Sequence, residues 1–340
     1  MKKFFKIFGL FLLFQIIYIP LLSILLVYYG PFTSTRDMIV TTAMTTMTHQ
    51  YFATLFLSQE KIDAILAANR PDDNIESQDM DDIDVSKTKA DDGVELVDVS
   101  TKNFKGYLLI VNDPSRVKLV SAPKIGKVGS TTSQIVEAYD AVGGINAGGF
   151  EDDALGTGGK PAGLVIENGE ITFGSKTATY SVVGMDNNNK LVVSNYTNYT
   201  KLKSLNIKSA VSFGPVIIIN GKPTIGSGSD GGWGIQPRTA IAQRKDGAIL
   251  MLVIDGRQAG SIGATLKNVQ DILLNYGAYN AFNLDGGAST TMVFNEKVVN
   301  TPSDIMGERY VPNAFIITKP SVDSGKNSTS NNGASNNESN

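Results

Sequence analysis

The longest hydrophobic run of the chain lies near its start. Residues 7–29 carry no charge, and three lysines precede them, Lys2, Lys3 and Lys6. A helix of this length spans roughly 35 Å, enough to cross a hydrocarbon core of about 30 Å. The pattern predicts a cytoplasmic tip and a transmembrane anchor over residues 1–32, with the N-terminus in the cytoplasm and the rest of the chain outside. A cleaved signal peptide is the alternative interpretation.

The segments around the main body of the chain differ from it in composition. Residues 33–69 mix Thr and Met with apolar residues and predict a membrane-proximal helical segment. Residues 60–104 hold 13 acids and 5 bases, so we expect a flexible acidic spacer over 70–104. The six Ser and six Asn of residues 320–340 predict a disordered tail. The folded unit is therefore expected over 105–319.

Inside this unit, apolar runs alternate with short turn motifs. Three pairs separate strand-like runs: Asn168-Gly169, Asn220-Gly221 and Asp246-Gly247. Such pairs form two-residue hairpin turns, in which both central residues need positive φ. The clearest helix covers 265–276, with Thr265 as its N-cap and Gly277 after its end. The pattern predicts an α+β fold, with a mostly antiparallel mixed sheet, hairpins and a few packed helices, preceded by a single N-terminal transmembrane helix.

Composition removes several kinds of chemistry. The chain has no cysteine and one histidine, His49, which lies outside the expected folded unit. Disulfides, thiolate nucleophiles and zinc sites with several histidines are thereby excluded. With 30 Lys and Arg against 33 Asp and Glu, and no basic cluster, nucleic acid is not expected as a partner. Any catalysis must come from carboxylates, Arg, Lys, hydroxyls and backbone amides.

Two buried strands end in aspartates. The apolar run 249–254 is followed by Asp255-Gly256-Arg257, and the run 278–284 is followed by Asp285-Gly286-Gly287. The intervening helix favours a right-handed crossover between parallel neighbouring strands, which brings both carboxylates to one edge of the sheet. Two aspartates in this arrangement resemble an acid/base or nucleophile pair. The alternative is that each aspartate caps its own turn.

Further polar groups stand beside glycine-rich stretches. Arg238 begins a strand directly after the glycine-rich stretch 226–234, where a guanidinium suits bidentate binding of phosphate. A surface salt bridge is the alternative for this arginine. Asn146 follows another short apolar strand, and Ser289 and Thr290 could offer hydroxyls and amides to the same anion. None of the glycine clusters fits a P-loop or a dinucleotide-binding fingerprint.

Six blocks of the sequence together resemble one known family. They are INAGGF at 145–150, RTAIA at 238–242, DGR at 255–257, NLDGGAST at 283–290, PSD at 302–304 and GERYVPNAF at 307–315. Their order and spacing are similar to those of the phosphodiester glycosidases, a family that includes the animal mannose 6-phosphate uncovering enzyme and bacterial exopolysaccharide biosynthesis-type surface proteins. The resemblance covers roughly 105–319. Where the animal enzyme has Gln, this chain has Arg257.

The resemblance implies hydrolysis of a sugar-1-phosphodiester at its glycosidic bond. The implied catalytic residues are Asp255, Asp285 and Arg238. The implied substrate-binding residues are Asn146, Gly148, Gly149, Arg257, Asn283, Gly286, Gly287, Ser289, Thr290 and Arg309. Phosphate is a good leaving group, so an arginine that neutralises its charge can carry part of the duty of a general acid.

The expected function is therefore that of a membrane-anchored, extracellular hydrolase acting on phosphate-linked glycans of the cell envelope. Two other hypotheses stay open: a non-catalytic envelope protein that binds or assembles polysaccharide, and a metal-dependent phosphodiesterase that cuts the P–O bond. No cofactor or metal site is expected, although the sequence leaves the participation of a divalent cation such as calcium open.

Overall fold

The computed structural model describes residues 2–46, 49–72, 75–87, 93–151 and 156–320. Within these ranges the helices are α1 (Lys2–Tyr29), α2 (Thr33–Met44), α3 (Tyr51–Thr54), α4 (Gln59–Asn69), α5 (Thr132–Ala138), α6 (Tyr199–Ser204) and α7 (Leu266–Asn275). The first strands are β1 (Val94–Asp98), β2 (Gly106–Val111), β3 (Val117–Ser121), β4 (Ala141–Asn146), β5 (Val165–Glu167), β6 (Glu170–Phe173), β7 (Tyr180–Asp186) and β8 (Leu191–Thr197). The others are β9 (Ile207–Ser212), β10 (Val216–Ile219), β11 (Lys222–Pro223), β12 (Arg238–Arg244), β13 (Ile249–Ile254), β14 (Ala278–Leu284), β15 (Met292–Phe294), β16 (Lys297–Val298) and β17 (Asn313–Thr318). The tail expected over 320–340 lies, from residue 321 on, outside the described residues.

The strands form three antiparallel sheets. One has seven strands in the order β1-β2-β13-β12-β14-β10-β11, and two have five, in the orders β16-β15-β4-β17-β3 and β6-β5-β9-β7-β8. Their inner faces share one hydrophobic core that includes Leu109, Val253, Phe282 and Phe315, all fully buried. A second core lies between the seven-stranded sheet and α7. The predicted α+β class with antiparallel sheet is thereby confirmed.

The order of the central strands differs from the expected one. β13 and β14 each pair antiparallel with β12, so they run parallel to each other with β12 between them. Their carboxyl ends do reach the same edge, as predicted, but they are not neighbours. The start of β12 fills the gap, because Arg238 pairs with Ile254 and Thr239 pairs with Leu284. Helix α7 connects β13 to β14 and begins at the N-cap Thr265, as the sequence indicates.

Two of the three predicted hairpin turns have the expected backbone. Asn168-Gly169 and Asn220-Gly221 both have positive φ at each central residue. In the turn at Asp246-Gly247, of the two residues only Gly247 has positive φ, at 89°. Its N–H donates to the carbonyl of Arg244, whose own N–H donates to Ala248. This turn is therefore a longer loop closed by a glycine in the left-handed region.

The acidic segment is packed where flexibility was expected. β1 pairs along its whole length with β2, so the folded unit begins before residue 105. Ile83 is 1% exposed. Two acids of the segment pair with lysines: Lys245 Nζ lies 2.7 Å from Asp82 Oδ2, and Lys222 Nζ lies 3.0 Å from Glu76 Oε1. A flexible spacer over 70–104 is therefore wrong for the described residues 75–87 and 93–104, because the composition hides a few apolar positions that enter the core.

A prediction about stability follows from this packing. Replacing Ile83 by Ala should lower the free energy of unfolding by about 2–4 kcal/mol, because it removes a fully buried side chain and leaves a cavity. The exposed neighbour Asp81, changed to Ala, is the matched control and should stay within about 0.5 kcal/mol. Urea unfolding of the two variants makes the measurement. Equal, small losses of the free energy of unfolding in the two variants would instead support a flexible spacer.

Helix α1 differs from the rest of the chain in its surroundings. From Lys3 to Tyr29 it is long and apolar enough to cross a membrane by length and composition, and its apolar window is not buried against the protein. After it, α2, α3 and α4 form a small core of their own, which includes Val40, Ala53 and Ile62. Residues 33–69 therefore contain helices, while their place next to the membrane stays a prediction.

Candidate active site

The ends of β13 and β14 and the start of β12 form one edge of the seven-stranded sheet. Adjacent strands lie about 4.8 Å apart, so the two carboxyl ends are separated by about 10 Å. Asp255 follows β13 and Asp285 follows β14, with Arg238 between them. The structure therefore places the three residues that the sequence singled out as catalytic at one edge of the sheet, with Asp255 and Arg238 more deeply buried than Asp285.

Asp285 is partly exposed, and its backbone is held from both sides. Its N–H donates to the carbonyl of Ala147 at 3.0 Å, and its own carbonyl accepts from Asn146 Nδ2 at 2.6 Å. Asn146 is fully buried, and its Oδ1 accepts from Thr239 Oγ1 at 3.0 Å and from Thr291 N at 3.1 Å. Asn146, predicted to bind substrate, thus fixes the loop that carries Asp285.

The glycines after Asp285 allow backbone contact with the start of β12. A Cβ at Gly286 would lie 2.7 Å from the Pro237 carbonyl oxygen. Gly287 has a φ of 60° and donates its N–H to the same oxygen at 2.9 Å. Ser289 and Thr290 are buried beneath this loop. Both glycines therefore serve close packing of the loop, and the two hydroxyl residues support it from below.

Asp255 lies deeper than Asp285. It is 3% exposed, and Asn300 Nδ2 donates to its Oδ1 at 2.8 Å. Thr301 N donates to both carboxylate oxygens, at 3.1 and 3.0 Å. Burial raises the pKa of Asp255, and the hydrogen bonds from Asn300 and Thr301 act against that rise. The carboxylate therefore holds the segment at residues 300–301, which differs from the alternative in which this aspartate caps its own turn.

The raised pKa of Asp255 predicts a pH dependence of stability. The folded protein binds this proton more tightly than the unfolded chain, so the stabilisation is complete below an unfolded pKa of about 3.9 and is lost as pH rises through the folded value. Relative to Asp255→Asn, the wild type should therefore gain free energy of unfolding as pH falls from about 7 to about 4. Urea unfolding at several pH values measures it. A difference that does not change with pH would contradict the burial of this carboxyl.

Arg238 is buried under the loop that precedes it. It is 3% exposed; its Nε donates to Ala264 O at 3.0 Å, and its Nη2 donates to Trp233 O at 2.9 Å and to Gly234 O. Burial lowers the pKa of Arg238 to about 9, and the charge of Asp230 acts against that, so the group stays protonated at neutral pH. The predicted phosphate fork is wrong for the Nε–Nη2 edge, which binds backbone carbonyls instead.

Arg257 is the exposed arginine of this edge. Its backbone has a φ of 59°, and its Nε and Nη2 both donate to Gln236 Oε1, with the Nε bond at 3.1 Å. The guanidinium lies over the Asp285 loop, since a Cβ at Gly287 would be 3.5 Å from Arg257 Nη2. An exposed guanidinium over a glycine backbone can bind an anion from solvent.

Three other residues that were predicted to bind substrate, Gly148, Gly149 and Asn283, lie beside Asp285. Gly148 N donates to Asn313 Oδ1 at 2.7 Å, and a Cβ at Gly149 would lie 2.9 Å from the Phe213 ring. Asn283 Nδ2 donates to the Gly214 carbonyl at 2.8 Å. These three residues therefore hold neighbouring backbone segments together.

Arg309 was also predicted to bind substrate. Its guanidinium lies 4.9 Å from the centroid of the Phe150 ring, and its Nε is 4.0 Å from Asp304 Oδ2. It lines an open cleft of about 770 Å³ with Thr131, Glu308 and Tyr310. A polar ligand in this cleft could reach Arg309, and its role in binding substrate stays a prediction.

Sequence reasoning missed four residues that connect these groups: Gln236, Pro237, Asn300 and Thr301. Gln236 and Pro237 lie between the glycine-rich stretch 226–234 and Arg238, and Asn300 and Thr301 directly precede the PSD block at 302–304. Their position next to these motifs in the sequence could have identified them as residues of the site. Among the described residues, no group of three or more His, Cys, Asp or Glu is placed to hold a metal ion.

Comparison with known proteins adds the family. The profile described as "NAGPA: Phosphodiester glycosidase" matches residues 139–318, just over half of the chain. The Bacillus subtilis (strain 168) protein "SPbeta prophage-derived uncharacterized protein YomE" is 29% identical over 202 residues, which are 57% of this chain and 30% of that protein. The bovine N-acetylglucosamine-1-phosphodiester alpha-N-acetylglucosaminidase is 39% identical over 70 residues, 21% of this chain and 13% of the enzyme.

A solved structure shares the fold. The catalytic domain of the zebrafish N-acetylglucosamine-1-phosphodiester alpha-N-acetylglucosaminidase, auto-inhibited by its pro-peptide, superposes with a TM-score of 0.55 at 21% identity, over 67% of this chain and 83% of that one. The chain spans less than a third of the length of the curated relatives it matches. The family profile covers more than half of the sequence, including the strand ends and loops described above. The chain therefore belongs to the phosphodiester glycosidase family.

Proposed function

We propose that this protein hydrolyses the glycosidic bond of sugar-1-phosphodiesters, releasing the sugar and leaving a phosphomonoester. The observation that carries the proposal is the meeting of the Asp285 loop and the Arg257 loop at Pro237 and Gln236. Gly287 N donates to Pro237 O, and Arg257 donates to Gln236 Oε1. A carboxylate and an exposed cation thus flank one glycine-lined surface, as this reaction requires.

The two charged groups divide the chemistry between them. In glycoside hydrolysis one carboxylate acts at the anomeric carbon, either as nucleophile or as the base for water. We assign this role to Asp285, because it is the more exposed of the two aspartates. Arg257 neutralises the charge that develops on the departing phosphate, which lowers the need for a strong general acid. Asp255 and Arg238 act as positioning residues from beneath.

The test uses product identity. The purified chain is incubated with UDP-N-acetylglucosamine and with an N-acetylglucosamine-1-phosphodiester, with and without EDTA. Free sugar and a phosphomonoester, formed equally in both conditions, are the expected products. Sugar 1-phosphate, lost on addition of EDTA, would instead support a metal-dependent phosphodiesterase. Binding without turnover would support a non-catalytic envelope protein.

The proposed location is the outer face of the cell membrane, where a phosphate-linked glycan of the envelope is the substrate. Helix α1 supports this through its length and its exposed apolar surface. The three lysines at its start favour a cytoplasmic N-terminus.

Fractionation tests the anchor. The full chain should stay with membranes through alkaline extraction, while a chain begun at Thr33 should be released into the soluble fraction. A product found in the medium with a shortened N-terminus, made from the full-length chain, would favour a cleaved signal peptide.

A further inference from the structure

We propose that the C-terminal end of helix α2 contributes to the active site: Thr42 of the helix and its C-cap residue Thr45 position the loop that carries Gln236, and Gln236 in turn holds Arg257 over the Asp285 loop. This inference rests on the proposed function and adds the positioning residues that set recognition of the phosphate group. It concerns residues outside the unit 105–319, which the sequence assigned to catalysis.

Helix α2 is bonded directly to the glycine-rich loop, residues 226–237. Ile235 N donates to Thr42 Oγ1 at 3.0 Å, and Thr45 Oγ1 donates to Trp233 O at 3.2 Å. Gln236 Nε2 donates to Thr45 Oγ1 at 3.4 Å. Thr42 in the last turn of the helix and Thr45 at its C-cap thus hold one end of the loop.

The contact is also close at the level of the backbone. A Cβ at Gly234 would lie 2.3 Å from the backbone nitrogen of Thr42, and the φ of this glycine is 56°. On the same helix, Thr41 is fully buried and its hydroxyl bonds Asp230. Only a glycine lets the loop approach the helix this closely, so the docking of α2 is built into the loop sequence.

The same loop reaches the site from its other side. Gln236 Oε1 accepts from Arg257, and Pro237 O accepts from Gly287 N. The carbonyls of Trp233 and Gly234 accept from Arg238. Each site element on this edge therefore touches the segment that α2 holds.

The chemistry of the amide gives Thr45 its role. A guanidinium can only donate hydrogen bonds, so the oxygen of the Gln236 amide must face Arg257, and its nitrogen must face away. Thr45 Oγ1 is the acceptor on that side. Without it, the amide loses a partner that fixes its orientation, and a rotated amide would point N–H groups at the guanidinium. Gln236 is 6% exposed, while Thr45 is exposed, so the hydroxyl is the protein's own acceptor for an amide that is otherwise shielded from water.

The experiment compares two substrates in the full chain. The double variant Thr42→Val and Thr45→Val should lose about tenfold in kcat/KM on the N-acetylglucosamine-1-phosphodiester, mainly through KM, because phosphate binding is weakened. Hydrolysis of an uncharged aryl N-acetylglucosaminide, which has no phosphate for Arg257, should change by less than about twofold. Thr45→Ser, which keeps the hydroxyl, should behave as the wild type. Thr35→Val, on an exposed part of α2, is the matched control.

Hydrogen exchange adds a readout that does not depend on turnover. The double variant should exchange faster over 226–237 and 255–262, while Thr35→Val should not. Equal losses on both substrates, or unchanged exchange over these two segments, would overturn the inference. A gain of activity in the double variant would also overturn it, because α2 would then inhibit the site. A wild-type chain that releases no sugar would overturn the proposed function, and the exchange result would still decide the role of α2.

Discussion

Replacing Asp285 by Asn is expected to lower sugar release by at least about two orders of magnitude, with little change in Tm. The substitution keeps the size of the side chain but removes the negative charge that a nucleophile or base needs. The fold should tolerate it, since the loop is held through the backbone of Asp285, by Ala147 and Asn146. Rates on a phosphodiester substrate and a thermal melt make the measurement.

Asp246→Asn is the matched control for this variant. Asp246 also precedes a glycine in a turn, and it pairs with Arg244 away from the site. Its substitution should leave turnover unchanged. If Asp285→Asn and Asp246→Asn are equally active, the catalytic carboxylate lies elsewhere, and Asp255 becomes the next candidate.

Replacing Arg238 by Lys should lower stability as well as activity. Three carbonyls accept from the guanidinium, those of Ala264, Trp233 and Gly234, and a single ammonium cannot reach all of them in the same geometry. We expect a loss of about 2–4 kcal/mol in the free energy of unfolding, because buried carbonyls lose charged hydrogen-bond partners. Activity should fall with it, since the glycine-rich loop loses its lower support.

Arg244→Lys is the control for this second variant, because Arg244 is a partly exposed arginine at the other end of β12. It should change the free energy of unfolding by less than about 0.5 kcal/mol. Urea unfolding separates the two. An Arg238→Lys variant of normal stability but with strongly reduced kcat/KM would instead support the direct contact with phosphate that the sequence offered as one interpretation.

Local rules account for what could be predicted from the sequence. The apolar runs at 249–254 and 278–284 are buried strands because nearly all of their side chains are apolar. Thr265 and Gly277 mark the ends of α7 because capping depends on neighbouring residues only. The two Asn-Gly hairpins follow from turn chemistry for the same reason.

Long-range contacts account for the rest. Asp255 is bonded to Asn300, 45 residues further along the chain, and no local pattern specifies that partner. The insertion of β12 between β13 and β14 depends on how hairpins assemble, and the burial of Arg238 depends on a loop that folds over it. The packing of Ile83 was hidden by the acids around it. The composition of a segment is an average over all its residues, whereas a single apolar residue such as Ile83 can anchor the segment in the core.

Hydrolysis in water enriched in oxygen-18 tests the central claim most directly. Cleavage of the glycosidic bond adds the oxygen of water to the anomeric carbon, and the original bridging oxygen leaves with the phosphate. Mass spectrometry of the products should therefore find the label in the released sugar and none in the phosphomonoester. Label in the phosphate product would show that the P–O bond breaks, and would contradict a glycosidase built around Asp285 and Arg257.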